Sequence, residues 1–387
     1  MGAASEGLDV VKVLVNAISI KEGGSRVVLA RLLGAMATQR SDIEWHAAIH
    51  PGLERVSVLP DVVTAWSFSW IDRSPGHPIY WYEVALPRLV RRIGADILFS
   101  QTNYLPRRRT SCPTLLLEQN AGHFSAEFKR LMERNLGGWL PIRAWRRKDA
   151  WVLNSVRKAN RVIVQTSALA DAIHAQAQVP EERLDVVPHG PGLVAHADKP
   201  HSWPDGRSWR IGYVSKYGVQ KDFATALRAL RELKARGRAV TLVLTLDQAV
   251  PGAAAVGDLI AELGVTENVE NRGEIGVDSV QSLYDGLDAF VFPSRCESFG
   301  FPLVEAMARG VPVVVARTPS NVEIAGAGAL AFAPGDWRVL ADAVESLMSD
   351  CAAYRAQASR SLAAAQRFSW NRAAAGTLDA IERTVRR

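Results

Sequence analysis

The sequence has few cysteines, no long apolar run and no basic leader segment. Its three cysteines, Cys112, Cys296 and Cys351, are odd in number and far apart, which argues against a disulfide framework or a zinc site and is typical of a reducing compartment. No apolar run approaches the roughly 18 residues that a membrane-spanning helix needs. The chain does not begin with the basic segment of a secretory signal peptide. We therefore expect a cytoplasmic protein.

Two common phosphate-binding motifs are also absent. The sequence contains neither GxGxxG nor GxxxxGK[ST], which disfavours a dinucleotide-dependent dehydrogenase and a P-loop NTPase. A weaker signal is present at Gly23-Gly24, which lies between the first apolar run and a helical pattern. A glycine pair at a helix N-terminus allows close approach of a phosphate.

Excess charge is small and unevenly distributed. Lys and Arg number 46 against 40 Asp and Glu, a net charge of +6. Residues 1–190 hold 24 basic and 18 acidic side chains, so the whole excess lies in the first half. This favours an anionic partner such as phospholipid headgroups or a polyphosphate, although solubility alone would also explain it. No nucleic-acid-binding module accompanies the charge, and we expect no nucleic-acid partner.

Short, continuous apolar runs alternate with helical patterns along the whole chain. Such runs indicate strands buried on both faces of a parallel sheet. They lie at 10–17, 95–101, 114–120, 161–167 and 184–190 in the first half, and at 209–215, 241–247, 288–294 and 311–318 in the second. The alternation predicts an α/β fold with two doubly wound, Rossmann-like domains that face an interdomain cleft.

The helical patterns and the linker composition suggest domain boundaries. Asp222 is expected to cap one helix and Gly237 to end it, and Ser25 is expected to cap another. A stretch rich in Pro, Gly and His separates the two units. We predict an N-terminal domain at 1–190, a linker at 191–206, a C-terminal domain at 207–369 and a last helix at 370–387 that packs back on the N-terminal domain.

The strongest functional signal is the string SRCESFGFPLVEAMARG at 294–310. It follows an apolar strand, and Pro302 suits the first turn of the next helix. Glu297 and Glu305 stand eight residues apart, with Gly300 between them. The helix N-terminus favours an anion such as a diphosphate, while the carboxylates suit hydroxyl groups of a ribose and a hexose.

Further polar residues follow other strands. Lys216 and Lys221 lie in one loop, and two ammonium groups there could neutralise a leaving pyrophosphate. The loop at 118–128 carries Glu118, Asn120 and His123, and such a histidine can orient a hydroxyl or serve as a base. At 139–153 three tryptophans alternate with arginines, which is typical of a membrane-interface helix and also of a packed helix with a solvated basic face.

The string ESFGFPLVE at 297–305 resembles the E-x7-E motif of retaining GT-B glycosyltransferases of family 4. The resemblance extends over most of the second half, including YVSKYGVQKDF from Tyr213 and PSNVEIAG from Pro319. The first half is similar more loosely, through the glycine pair and residues 81–106, to transferases of bacterial surface-polysaccharide assembly.

The resemblance implies roles for residues of the donor site. Glu297 would bind hydroxyls of the donor sugar, and Glu305 would bind the ribose. Lys221 would contact the diphosphate, as would Lys216, which stands where the family usually has arginine. That difference keeps the charge but loses the bidentate fork. The backbone of Phe299, Gly300 and Phe301 would lie beside sugar and phosphate, Ile275 would lie near the base, and Gly23 and Gly24 would approach the diphosphate from the other domain.

The resemblance is less complete around His123. Family members often carry a catalytic-site histidine followed by an acidic residue, whereas Phe124 follows His123 here. Gln119 and Asn120 are alternative residues for the acceptor side.

The resemblance implies metal-independent hexosyl transfer with retained anomeric configuration and no cofactor besides a nucleotide-diphosphate sugar donor. We expect the acceptor to be a glycan or a lipid-linked glycan, met at the inner face of the plasma membrane through peripheral contact with anionic lipid. Two alternatives stay open: transfer to a small soluble acceptor such as an aminocyclitol, and a catalytically silent nucleotide-sugar-binding protein. A nucleotide-sugar epimerase of similar fold is disfavoured by the 297–305 string.

Overall fold

The computed structural model of the protein describes residues 10–53, 59–204 and 207–386. The other residues belong to the predicted N-terminal domain (1–9 and 54–58), linker (205–206) and last helix (387), and those parts of the predictions lie outside the described residues.

The N-terminal domain is built on a parallel sheet of seven strands in the order β3-β2-β1-β4-β5-β6-β7. Helices cover both faces, because the core on each side combines strand and helix residues. The strands are β1 Lys12–Ala17, β2 Glu44–Ile49, β3 Val63–Ser67, β4 Ile97–Ser100, β5 Thr114–Leu117, β6 Arg161–Val164 and β7 Leu184–Val186.

The C-terminal domain repeats this plan with six parallel strands in the order β10-β9-β8-β11-β12-β13. Its core is one continuous cluster. The strands are β8 Trp209–Tyr213, β9 Val240–Leu244, β10 Val269–Asn271, β11 Ala289–Phe292, β12 Val313–Ala316 and β13 Ala329–Phe332. The predicted α/β class with two Rossmann-like domains is therefore confirmed.

Helices connect the strands as crossovers, the arrangement that parallel sheets require. A short π-helical segment at Trp81–Ala85 joins the helices at His77–Tyr80 and Leu86–Ile93. The helices are α1 Gly23–Gln39, α2 His77–Tyr80, α3 Leu86–Ile93, α4 Ala126–Leu136, α5 Trp139–Lys158, α6 Ser167–Ala177, α7 Phe223–Ala235, α8 Ala253–Glu262, α9 Val277–Asp285, α10 Phe301–Ala308, α11 Pro319–Ala325, α12 Trp337–Ser349, α13 Cys351–Ala365 and α14 Trp370–Val385.

All nine predicted strands are present, and the part of the chain that the structure describes contains four further strands that were not predicted. These are β2, β3, β10 and β13, three of which form sheet edges. Strand β3 exposes Thr64 and Ala65, and β10 has no fully buried residue. Because β3 and β10 are half-exposed and lack a continuous apolar run, the apolar pattern did not reveal them. Strand β2 is mostly buried, but Glu44 and His46 interrupt its apolar run, and β13 is an apolar run of only four residues.

The predicted helix ends are confirmed for α7 and wrong for the start of α1. Asp222 accepts a hydrogen bond from Thr225 N at 3.3 Å, and α7 ends just before Gly237, as predicted. The predicted cap at Ser25 is wrong, because α1 already begins at Gly23 with Glu22 at the cap position. The glycine pair thus forms the first turn of α1 rather than a loop before it.

The last helix, α14, lies on the N-terminal domain. Its Ala374, Leu378 and Ile381 join the core beside α1. Arg40 binds Glu382 at 2.5 Å, and Gln39 donates to the carbonyl of Asn371 at 3.0 Å. The chain therefore crosses between the domains twice, once after β7 and once before α14.

Among the residues that the structure describes, no helix combines the length and apolar character needed to cross a membrane.

Candidate active site

A cleft of about 740 Å³ lies between the carboxyl ends of the two sheets, which is where ligands bind in open α/β folds. It brings together most of the residues predicted from the sequence. From that set, Gly23, Gly24, Gln119, Lys216, Lys221, Ile275, Glu297, Phe299, Gly300, Phe301 and Glu305 line the cleft. The topology brings them together, since they lie in the connections between strands and helices or at helix starts, apart from Glu305, which lies on the second turn of α10.

The loop between β11 and α10 forms one wall of the cleft and carries Glu297 and Gly300. Glu297 forms an ion pair with Lys221 and accepts a hydrogen bond from Ser294 Oγ at 2.5 Å. Both charged side chains are largely enclosed, with 13% and 16% of their surface exposed. Gly300 caps α10 with a φ of +75°, a left-handed conformation that favours glycine. This turn places the start of α10 at the cleft, where Phe301 and Pro302 line it.

Lys216 spans the mouth of the cleft. Its Nζ lies 3.4 Å from Glu22 of the N-terminal domain and 3.2 Å from Glu274 of the C-terminal domain. Partial burial lowers the pKa of Lys216, but the hydrogen bond to Glu274 and the charge of Glu22 outweigh it and leave that pKa above its usual value. Lys216 is therefore a cation held between two carboxylates at the entrance.

Glu305 lies deeper and is only 6% exposed. Its carboxylate accepts hydrogen bonds from Leu193 N at 2.9 Å and Tyr284 Oη at 2.8 Å. Burial raises the pKa of Glu305 above its ordinary value, against the effect of these hydrogen bonds. A Cβ at Gly192 would lie 1.9 Å from Glu305 Oε1, so only glycine lets the linker approach this carboxylate.

Two predicted residues, His123 from the catalytic set and Asn120 from the acceptor side, do not line the cleft. The His123 ring is buried, and its Nδ1 lies 2.9 Å from Asp149 Oδ1. Asn120 instead caps the short turn at Ala121–Phe124, accepting from Gly122 N at 3.0 Å. Because Asp149 also pairs with Lys129 at 3.2 Å, His123 belongs to a polar cluster behind the cleft wall.

Several hydrogen bonds hold the two domains together beside the cleft. Ser298 donates from Oγ to the carbonyl of Gln119 at 2.8 Å, and its own carbonyl accepts from Thr166 Oγ1 at 3.3 Å. Glu323 of α11 accepts from Ser167 N at 2.7 Å at the first turn of α6. A carboxylate at a helix N-terminus is favourable, so these contacts stabilise the observed arrangement of the two domains.

Sequence reasoning did not select Gln165, His189 and Leu193, which also line the cleft. Gln165 stands directly after the apolar run of β6, so its position beyond a strand end was an available signal. His189 and Leu193 lie in the Pro-, Gly- and His-rich stretch at 189–206, whose composition indicates a linker and gives no signal for a binding residue.

Among residues 10–53, 59–204 and 207–386, no group of three or more His, Cys, Asp and Glu side chains is arranged to hold a metal ion.

Comparison with known proteins agrees with this geometry. A family model described as Glycosyltransferase Family 4 matches residues 22–191, and one described as Glycosyl transferases group 1 matches residues 197–362. The HepE protein of Anabaena, solved with UDP and glucose, shares the fold with a TM-score of 0.70 at 19% identity, over 96% of this chain and 99% of that one. With one family model on each domain, the chain belongs to the GT-B glycosyltransferases.

Individual curated relatives align with smaller shares of the chain than this solved structure does. The 2-deoxystreptamine glucosyltransferase of Streptomyces kanamyceticus is 27% identical over 213 residues, 52% of this chain and 54% of that protein. The O-antigen chain mannosyltransferase B of Escherichia coli is 31% identical over 124 residues, 32% of each chain. The chain thus spans about half the length of the first of these curated relatives and a third of the second.

Proposed function

We propose that the protein is a retaining hexosyltransferase that moves a hexose from a nucleotide-diphosphate sugar to an acceptor hydroxyl. The observation that carries this proposal is the Lys221–Glu297 pair in the interdomain cleft, facing the glycine-rich start of α1. A cation for phosphate and a carboxylate for sugar hydroxyls are adjacent there, as an activated sugar requires.

In the proposed reaction the bond between the anomeric carbon and the diphosphate breaks as the bond to the acceptor oxygen forms. Lys216 and Lys221 stabilise the charge that develops on the leaving diphosphate. The acceptor proton passes to an oxygen of that diphosphate, on the same face of the sugar, so configuration is retained. Glu297 and the backbone of Phe299 to Phe301 hold the sugar during transfer.

The nucleotide half is proposed to lie against the C-terminal domain. Glu305 would accept hydrogen bonds from ribose hydroxyls, exchanging them for one of its present contacts with Leu193 N and Tyr284 Oη. Ile275 lies at the rim of the same cleft, where a base would contact it. The HepE structure with UDP and glucose supports a nucleotide sugar as donor.

For the acceptor we propose a lipid-linked glycan at an anionic membrane. The start of α5 exposes Trp139 and Leu140, at 64% and 62% of their surface. The Arg143 guanidinium lies 5.5 Å from the Trp139 ring centroid, and Arg147 is exposed on the same helix. Exposed apolar side chains beside arginines favour an interfacial position. The similarity to an O-antigen mannosyltransferase supports this acceptor class.

A second candidate acceptor is a small soluble cyclitol. The similarity to a 2-deoxystreptamine glucosyltransferase favours it, and so do the uncharged polar side chains Gln119, Gln165 and His189 on the N-terminal wall of the cleft. The two candidates share the same chemistry, in which one ring hydroxyl attacks the anomeric carbon.

A transfer assay tests the proposal. Purified protein is incubated with sugar nucleotides and an acceptor extract, and the anomeric configuration of the product is read by NMR. We expect product with the donor's configuration, formed equally with EDTA present, and none from Glu297→Ala. An inverted product, or full activity of Glu297→Ala, would contradict the proposal.

A further inference from the structure

Most of the unpartnered polar atoms of buried side chains gather at one place. In the described part of the chain, seven buried side-chain nitrogen and oxygen atoms have no hydrogen-bond partner. Five of them belong to Gln101, Gln165 and His189: both amide atoms of Gln101, Oε1 of Gln165 and both ring nitrogens of His189. These three residues are only 1%, 1% and 2% exposed.

The three side chains share one edge of the N-terminal sheet. Gln101 follows β4, Gln165 follows β6 and His189 follows β7, and all lie just beyond the carboxyl ends of these strands. Gln119, which follows β5 between them, donates from Nε2 to the carbonyl of Gln101 at 3.2 Å. Gln165 and His189 line the interdomain cleft directly.

An unpartnered buried polar atom costs stability, since it loses water without gaining another partner. A shape-matched apolar side chain would avoid that cost at Gln101 and His189. Gln101 lies beside the cleft lining at the same sheet edge, and the concentration of such atoms there therefore indicates a partner that the polypeptide does not supply.

The cluster is chemically neutral. Burial lowers the pKa of His189 to about 3, so its ring offers one donor and one acceptor at physiological pH. The Phe301 ring stacks on the imidazole at 5.7 Å with an angle of 5°, and Trp370 stacks at 5.6 Å. The ring is thus fixed in orientation. Neutral groups that both donate and accept suit hydroxyls, whereas phosphate is better served by Lys216 and Lys221.

We propose that Gln101, Gln165 and His189 form a binding subsite for ring hydroxyls of the acceptor. This inference rests on the proposed function, because it assigns the acceptor side of the same cleft. These polar atoms are shielded from solvent in the present domain arrangement. The acceptor ring therefore enters when the two domains separate, and it is enclosed when the domains close and Phe301 again stacks on His189. A terminal sugar of a lipid-linked glycan and a free cyclitol offer the same chemistry.

Two substitutions test the subsite without breaking any internal hydrogen bond. Gln101→Met and His189→Phe keep the approximate shape and remove only polar atoms that have no partner. Gln357→Met is the control matched for burial. Gln357 is 1% exposed like Gln101, but it lies in the C-terminal domain, where it donates to the carbonyl of Gly328. A solely structural role for Gln101 and His189 would leave polyol binding unchanged in their variants.

Binding of myo-inositol, 2-deoxystreptamine and octyl glucoside in anionic vesicles is measured by saturation-transfer NMR with nucleotide diphosphate present, and nucleotide affinity is measured by calorimetry. We expect at least one polyol to bind the parent. Gln101→Met and His189→Phe should each weaken binding of that polyol tenfold or more. Their nucleotide affinity should change less than twofold, and their melting temperature should equal or exceed that of the parent. Binding of a free cyclitol alone would identify a soluble acceptor. Binding of the vesicle-borne glucoside alone would identify a lipid-linked one.

Three results would overturn the inference: no polyol binds the parent, the variants bind it as the control does, or they lose nucleotide instead. The second would mean that the cluster holds only water, and the third that it serves the donor. If the parent binds no nucleotide diphosphate at all, the proposed function itself fails, and that outcome is separate from the other three.

Discussion

The carboxylate of Glu297 is held by Lys221, and Ser294 donates to the same Oε1 atom at 2.5 Å. The pair joins two loops that are 76 residues apart in sequence. Because both side chains are mostly enclosed, their charges neutralise each other before any ligand arrives. The pairing also fixes where the carboxylate points, which a sugar-binding group requires.

Replacing Glu297 by glutamine is expected to lower the transfer rate by about 10²–10³-fold, since the substituted amide cannot provide the same acceptor charge to the sugar. The fold should persist because size and one hydrogen-bond acceptor are kept. Initial rates and circular dichroism check this. Glu133→Gln, which alters an exposed pair with Arg146 outside the cleft, is the control. A loss of less than tenfold would remove Glu297 from the donor site.

Glu22 is expected to oppose donor binding, because its carboxylate competes for Lys216 and stands beside the start of α1. Glu22→Gln should therefore strengthen nucleotide-diphosphate binding by about threefold to tenfold, a gain on the order of 1 kcal/mol for an exposed charge pair. Calorimetry at low and high salt measures it, and the gain should shrink at high salt. Equal or weaker binding by Glu22→Gln would show that Lys216 does not contact the diphosphate.

Glu118 makes the stability pH-dependent. Its side chain is fully buried, and burial raises the pKa of its carboxyl well above the ordinary value, although Asn120 N donates to it at 2.9 Å. The protonated form favours folding, so its contribution is complete below the unfolded pKa of about 4.3 and is lost as pH rises toward the folded pKa.

Glu118→Gln should accordingly be more stable than the parent by roughly 1–3 kcal/mol at neutral pH and nearly equal to it at pH 4. Urea unfolding across this pH range measures the difference. Glu262→Gln, an exposed carboxylate at the end of α8, should show no such trend. A pH-independent difference for Glu118→Gln would reject the argument.

Membrane contact through the start of α5 is tested by vesicle flotation. The parent should float with anionic vesicles and less with neutral ones, and Trp139→Ser with Leu140→Ser should reduce flotation at least fivefold. Val339→Ser, an exposed apolar residue on α12, should behave as the parent. Failure of the parent to float would leave the soluble cyclitol as the favoured acceptor.

The strand pattern predicted that the candidate site residues lie close together, because the carboxyl ends of parallel strands meet at one edge of a sheet, while their roles in binding and catalysis stay predictions. Eleven of the thirteen predicted site residues line one cleft for this reason. The start of α1 was harder to predict, because the glycine pair already belongs to the helix and the predicted cap, Ser25, lies inside its first turn.

Contacts between distant segments could not be predicted from local patterns. The partners of Glu305 are Tyr284, 21 residues away, and the backbone of Leu193, 112 residues away. The loop position of His123 predicts an active-site residue but not the contact of its Nδ1 with Asp149 on α5 at 2.9 Å. That the side-chain amide of Gln101 has no hydrogen-bond partner can be seen only when all the residues packed around it are known.

The most direct test of the account is a thermal-shift panel with UDP, GDP, ADP and dTDP on the parent and on the double variant Lys216→Ala, Lys221→Ala. At about 100 times its Kd, one nucleotide diphosphate should stabilise the parent by about 2.7 kcal/mol and the double variant far less. If no nucleotide diphosphate raises the melting temperature of the parent, or if the double variant responds equally, the interdomain cleft does not bind an activated sugar by its diphosphate.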